Sequence, residues 1–211
     1  MIARVFPRRT KATPQDEYTF TDEPGLFVPE DITEVHVSVA FTWDMERAER
    51  LADSWARIAP VKMGGPAFNQ PGGEFEPGKY LREGYTITSR GCFNFCWFCA
   101  VWKREKGLTE LPIHDGWNVL DDNILACSES HIRAVFAMLK RQKRKTEFTG
   151  GLEAKLLKPW HVDLIRDLKP HQLFFAYDTP DDWEPLVNAA KLMSEGGCLN
   201  RTLCRCYTLI G

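Results

Sequence analysis

Ser89-Arg90-Gly91-Cys92-Phe93-Asn94-Phe95-Cys96-Trp97-Phe98-Cys99-Ala100 sets three cysteines within eight residues, spaced C-x3-C-x2-C, in a chain that has only seven cysteines among 211 residues. Three thiolates on one short loop can converge on a single soft metal centre. Four-iron cubanes are normally held by four thiolates, so three leave one iron open. An open metal position is where a ligand binds and is activated, by the logic that separates catalytic from structural zinc sites. Zinc would need a fourth ligand, with His114 or Cys127 folding back to supply it. A disulfide would leave one cysteine over, and nothing marks the chain as secreted.

Working outward, Tyr85-Thr86-Ile87-Thr88 is predicted as a strand that delivers the cysteine loop at its carboxyl end, where parallel α/β barrels place their chemistry. Phe93, Phe95, Trp97 and Phe98 interleave the cysteines, either as core or as a dry sheath around a metal centre. Downstream, Asp121, Asp122 and Asn123 are polar groups at a strand end facing the site, or a surface turn. Ser128 is predicted to cap a helix reaching about Gln142, with Ile132, Val135, Phe136 and Leu139 inward. The run Lys140 to Lys145 suits the negative end of a helix dipole; an RNA-contacting patch is the rival reading. Thr149-Gly150-Gly151-Leu152-Glu153 follows the next predicted strand, and its glycines would let the backbone approach a ligand closely. A helix from about Pro159 to Leu168 and a strand over Gln172–Tyr177 come next. Asp178, at the end of that strand, is a carboxylate for a ribose hydroxyl or substrate, or else a cap for the helix over 182–195. Leu203 to Ile210 is a further strand, on which Cys204 and Cys206 share a face; with Cys198 they are read as structural thiols.

Residues 1–30 are predicted as an extended arm with one short strand. Residues 31–67 form a small β-α-β unit: a strand around Glu34–Ala40, a helix capped by Asp44 and running to about Ile58, and a strand at Val61–Met63. Gly64-Gly65 closes it, either as a tight turn or to let the backbone approach a ligand, and residues 68–80 form a linker. With formal net charge −2 the composition offers no general reason to expect nucleic acid or an anionic membrane as partner. No apolar run is long enough to cross a bilayer, and the basic N-terminus lacks the apolar stretch of a secretory signal. Free-cysteine usage fits a reducing cytoplasm.

The C-x3-C-x2-C spacing, Phe98 before the last cysteine, the Arg90-Gly91 lead-in and the glycine pair resemble the radical S-adenosylmethionine superfamily from Tyr85 onward. That resemblance implies a parallel β/α TIM-like barrel over 81–211, incomplete here because each β-α unit takes roughly thirty residues. It implies a [4Fe–4S] cluster on Cys92, Cys96 and Cys99 whose fourth iron chelates S-adenosylmethionine. The enzyme would cleave it reductively to a 5′-deoxyadenosyl radical that takes hydrogen from a substrate. Phe98 would pack by the adenine, Gly150 and Gly151 would meet the methionyl end with Glu153 beside them, and Asp178 would serve the ribose. Leu152 intervenes between the glycine pair and Glu153, a departure from the family's Gly-Gly-Glu order. A flavodoxin- or ferredoxin-like electron donor is implied. The small N-terminal unit looks like a reduced cobalamin domain, but the D-x-H-x-x-G loop is absent and no cobalamin is expected. Neither the substrate nor a catalytic side chain is legible. The rival reading is a non-catalytic iron–sulfur or zinc module that binds a partner, RNA among the candidates.

Overall fold

The computed structural model describes residues 1–209; Ile210 and Gly211, the end of the last predicted strand, lie outside the described residues. Two compact units divide the chain, one of residues 1–83 with 103–105, the other of residues 84–102 with 106–211.

The first unit is built on β1 (Ile2–Val5), β2 (Thr19–Phe20), β3 (Glu34–Ser38), α1 (Met45–Trp55) and β4 (Val61–Gly64). They form a four-stranded sheet in the order β2-β1-β3-β4, parallel throughout. Alternation decides the faces. Ala3, Val5, Val35 and Val37 point at Ala48, Leu51 and Trp55 of α1 to make the core. Arg4 and His36, partners in register, share the other face. There Arg4 donates to the carbonyls of Gly78 and Lys79, and the Tyr80 ring stacks on His36 and hydrogen-bonds its Nδ1.

Three expectations are corrected here. The extended arm is instead an inner strand, β1, plus an edge strand, β2, because β3 supplies the partner that a four-residue apolar alternation near a terminus needs. Residues 68–80 are not a free linker, since Phe75 is buried and the segment 78–80 packs on the sheet. Asp44 makes no side-chain cap to α1. Its carboxylate is taken by the Arg8 guanidinium at 2.9 Å, which holds it below the usual carboxylate range.

The second unit comprises β5 (Tyr85–Thr86), β6 (Ser89–Arg90), the first half of α2 (Val101–Arg104), β7 (Thr109–Glu110), β8 (Asn118–Val119), α3 (Glu129–Lys140), β9 (Glu147–Leu152), α4 (Pro159–Leu168), β10 (Gln172–Tyr177), α5 (Trp183–Glu195) and β11 (Cys204–Thr208). Five of these strands make one parallel sheet in the order β11-β10-β9-β8-β5. The fold is therefore α/β with parallel sheets. The five strands form an open row, and no closed barrel occurs among the described residues. Phe148, Leu152, Leu173 and Phe175 face a core shared with Ile132, Val135, Phe136 and Leu139 of α3, Val162 and Ile165 of α4, and Ala189 and Met193 of α5. As predicted, Ser128 caps α3, accepting from the His131 amide at 3.3 Å.

His161 is fully buried in α4 and accepts at Nδ1 from the Lys158 amide, 3.0 Å away, while its Nε2 has no partner among the described residues. Burial first, then the Lys158 charge, pushes its pKa down from 6.5 to about 4. In the unfolded chain the ring protonates near 6.5, so between that pH and 4 the unfolded state binds the extra proton. Stability is full above pH 6.5 and is lost as pH falls toward 4, by on the order of 3 kcal/mol. Urea midpoints measured at pH 7.5 and 4.5 should fall less for His161→Gln than for the parent chain. An equal fall in both would refute the assignment.

Candidate functional site

The cysteine loop is an excursion closed at its base by the antiparallel pair β6 and β7, where Ser89 faces Glu110 and Arg90 faces Thr109. It leaves the sheet at the carboxyl end of β5, beside the carboxyl end of β8. The segment after β8 grips it in consecutive residues. Asp121, 1% exposed, accepts from the Thr88 amide (2.6 Å), the Thr88 hydroxyl (2.6 Å) and the Ser89 hydroxyl (2.7 Å). Asp122 accepts from the Gly91 amide at 2.8 Å. Asn123 donates to Cys92 Sγ at 3.3 Å and to Glu153 Oε2 at 2.5 Å. Of the two sequence readings for this trio, a surface turn is excluded, because Asp121 and Asn123 are buried.

Gly91 turns the chain into the loop at φ +88°, a conformation glycine takes without strain. Within the loop Cys92, Cys96 and Cys99 are all half-buried. Backbone amides donate to two of their sulfurs, Asn94 to Cys92 and Val101 to Cys99, each at 3.4 Å. Trp102 Nε1 holds the Cys96 carbonyl at 2.9 Å. The Cys96 thiol is pushed above its ordinary range by burial, then by Cys99, Cys92, Glu153 and Asp182 in that order. The three sulfurs and two carboxylates therefore share one electrostatic neighbourhood.

Among the described residues, no group of three or more His, Cys, Asp or Glu side chains is arranged to hold a metal ion. By residue type alone, the donor set is the kind a soft centre takes. It offers three thiols on one loop, amide donors aimed at two sulfurs, and an Asn123 Oδ1 that is buried without a partner beside them. His114 and Cys127 do not complete a zinc set. Cys127 is buried, its thiol raised to about 11 by burial, and the groups acting on it are Ser89, Asp121 and Glu110.

The remaining sequence candidates gather at the same end of the sheet. Gly150 and Gly151 lie inside β9, not after it, and make a bulge. Phe148 pairs with Leu173 and Leu152 with Phe175, so three residues of β9 oppose one of β10. Such bulges bend a strand and re-aim the side chains beyond them. A Cβ on Gly150 would stand 2.3 Å from the Asp121 carbonyl oxygen, so a close approach of β9 to the end of β8 requires glycine there. Gly151 has φ +92°. Glu153, just beyond, reaches Asn123.

Asp178 ends β10 but does not cap the next helix. Nor does Asp182 cap α5 with its side chain; it closes a reciprocal box on the 3-10 turn Pro180–Asp182 that leads into α5, accepting from the amides of Asp178 (3.1 Å) and Thr179 (2.9 Å) and from the Thr179 hydroxyl. The Asp178 carboxyl is raised by burial and then by Asp182. Asp182 is a site residue that sequence reasoning missed, although Thr179-Pro180-Asp181-Asp182 carries the spacing of a reciprocal cap.

Phe98 is half-buried and meets Trp97 edge-on at 5.5 Å. Neither core nor sheath describes the other loop aromatics: Phe93, Phe95 and Trp97 are 64%, 79% and 76% exposed. Lys140 to Lys145 lie where α3 runs into the amino end of β9, the opposite end of the strands, with Arg144 over the Trp117 ring at 4.6 Å.

No family model, curated protein or solved structure matches the chain. No helix among the described residues is long and apolar enough to cross a membrane.

Proposed function

We propose that the chain is an iron–sulfur enzyme of the radical S-adenosylmethionine type, its five-stranded parallel sheet being a partial β/α barrel. The observation that carries this reading is the position of the Cys92–Cys99 loop at the carboxyl end of a parallel sheet, where the Gly150-Gly151 bulge and Glu153 also lie. Cys92, Cys96 and Cys99 would hold a [4Fe–4S] cluster. When bound and reduced, that group supplies one electron to the sulfonium of S-adenosylmethionine, which splits into methionine and a 5′-deoxyadenosyl radical able to take hydrogen from a substrate.

The chain's own part is binding and orientation. Glu153 and Asp178 present carboxylates near the bulge, suited to the ammonium and ribose hydroxyls of the cosubstrate. The bulge exposes backbone at Gly150 and Gly151 for its polar end, and Phe98 lines the adenine side. A small flavodoxin- or ferredoxin-like donor would deliver the electron from the cytoplasm. The test is anaerobic reconstitution of the full chain with iron and sulfide, followed by dithionite and S-adenosylmethionine. About four irons per chain and 5′-deoxyadenosine are expected. Zinc in a colourless protein, or a full cluster without 5′-deoxyadenosine, would overturn the proposal.

A further inference from the structure

Asn123 has no part in the roles assigned so far, yet its contacts are the most selective in the site. It is 4% exposed, and its single amide nitrogen serves two partners, Cys92 Sγ at 3.3 Å and Glu153 Oε2 at 2.5 Å. An amide nitrogen carries two hydrogens, so both are committed. The Oδ1 atom meanwhile is buried with no partner among the described residues, an uncommon state for a buried acceptor. Reversing the amide would bring that oxygen against a sulfur and a carboxylate, two acceptors. The two contacts therefore fix the orientation of the group.

We infer that Asn123 is a positioning residue that sets the electron density on the Cys92 sulfur and ties it to Glu153. This rests on the iron–sulfur reading above. Hydrogen bonds to ligating sulfurs are among the determinants of cluster potential. A donor to sulfur favours the reduced, more electron-rich state, so its loss moves the midpoint to more negative values. Cys92 has a second donor in the Asn94 amide. Removing Asn123 therefore lowers the potential without releasing the ligand.

The experiment is a redox titration, followed by electron paramagnetic resonance, of the reconstituted full chain, Asn123→Leu and Asn123→Ser. Leucine nearly matches the shape and has no donor; serine is too short to reach the sulfur and tolerates a failure of the leucine variant to fold. The expected result is a midpoint shifted negative in either variant that folds, with iron per chain retained. A fully loaded cluster with an unmoved midpoint overturns the role of Asn123 and leaves the cluster reading intact. Failure of the unsubstituted chain to take up iron overturns both.

Discussion

Cys96→Ala should reduce iron retained after anaerobic reconstitution by at least about tenfold, and the brown charge-transfer absorption should go with it. Loss of even an outer partner of a metal ligand costs roughly 10–100-fold in affinity, and loss of the ligand itself costs no less. Cys96 is the middle thiol of the three, acted on by both of the others and by Glu153 and Asp182. With a cation present those same charges bind it; without Cys96 the remaining two sulfurs leave it under-coordinated. The metal-free variant should unfold within about 0.5 kcal/mol of the parent, because the half-buried loop contributes little to the core. Iron content and thermal midpoint measured on the same sample separate the two effects. Retention of iron by Cys96→Ala would remove the C-x3-C-x2-C loop as the binding site.

The second large effect is expected at Asp121, which, among the described residues, hydrogen-bonds Thr88 and Ser89 and not the three loop cysteines. Asp121→Ala leaves the Thr88 amide and the hydroxyls of Thr88 and Ser89 without their acceptor. An unsatisfied buried donor costs about 1–3 kcal/mol. The Thr88 hydroxyl keeps a neighbour in His131 Nε2 at 3.3 Å, so the sum is about 3 kcal/mol. For a chain of this size that is a fall of roughly 6–12 °C in melting temperature. Asp121→Asn retains one acceptor oxygen and should lose about half as much.

Burial outweighs the hydrogen bonds and raises the Asp121 pKa. Its titration therefore adds stability below the ordinary carboxylate range, and that contribution is lost as pH rises through the folded value. The stability difference between the parent and Asp121→Asn should accordingly shrink as pH rises. If Asp121→Ala melts with the parent, the buried carboxylate is not what holds the loop to the sheet.

Legibility followed local signals and stopped where tertiary partners decide. Alternation revealed β3, period revealed α1 and α3, and the Ser128 cap stands where its residue type suggests. The one short strand expected in residues 1–30 could not be placed, because Ile2-Ala3-Arg4-Val5 is too short to declare itself without β3 alongside. Likewise Asp44 has the chemistry of a helix cap, and only the approach of Arg8 decides otherwise. In the site, cysteine spacing is a one-dimensional signal and needs no fold. The work of Asp121, Asp122 and Asn123 is three-dimensional, since a carboxylate in a turn and one buried under a strand end read the same. The Gly150-Gly151 bulge was legible as glycine but not as a bulge, because register belongs to the pair of strands.

In the larger sheet, spatial order repeats chain order: β5, β8, β9, β10 and β11 stand side by side as they are synthesised. Each strand emerging from the ribosome meets an exposed edge already made by its predecessor, and none has to be threaded later between two neighbours. Assembly can then proceed vectorially during translation, each helix sealing the row as it grows. The cysteine loop and its grip at Asp121 and Asn123 are complete once β8 has docked, before the bulge of β9 exists.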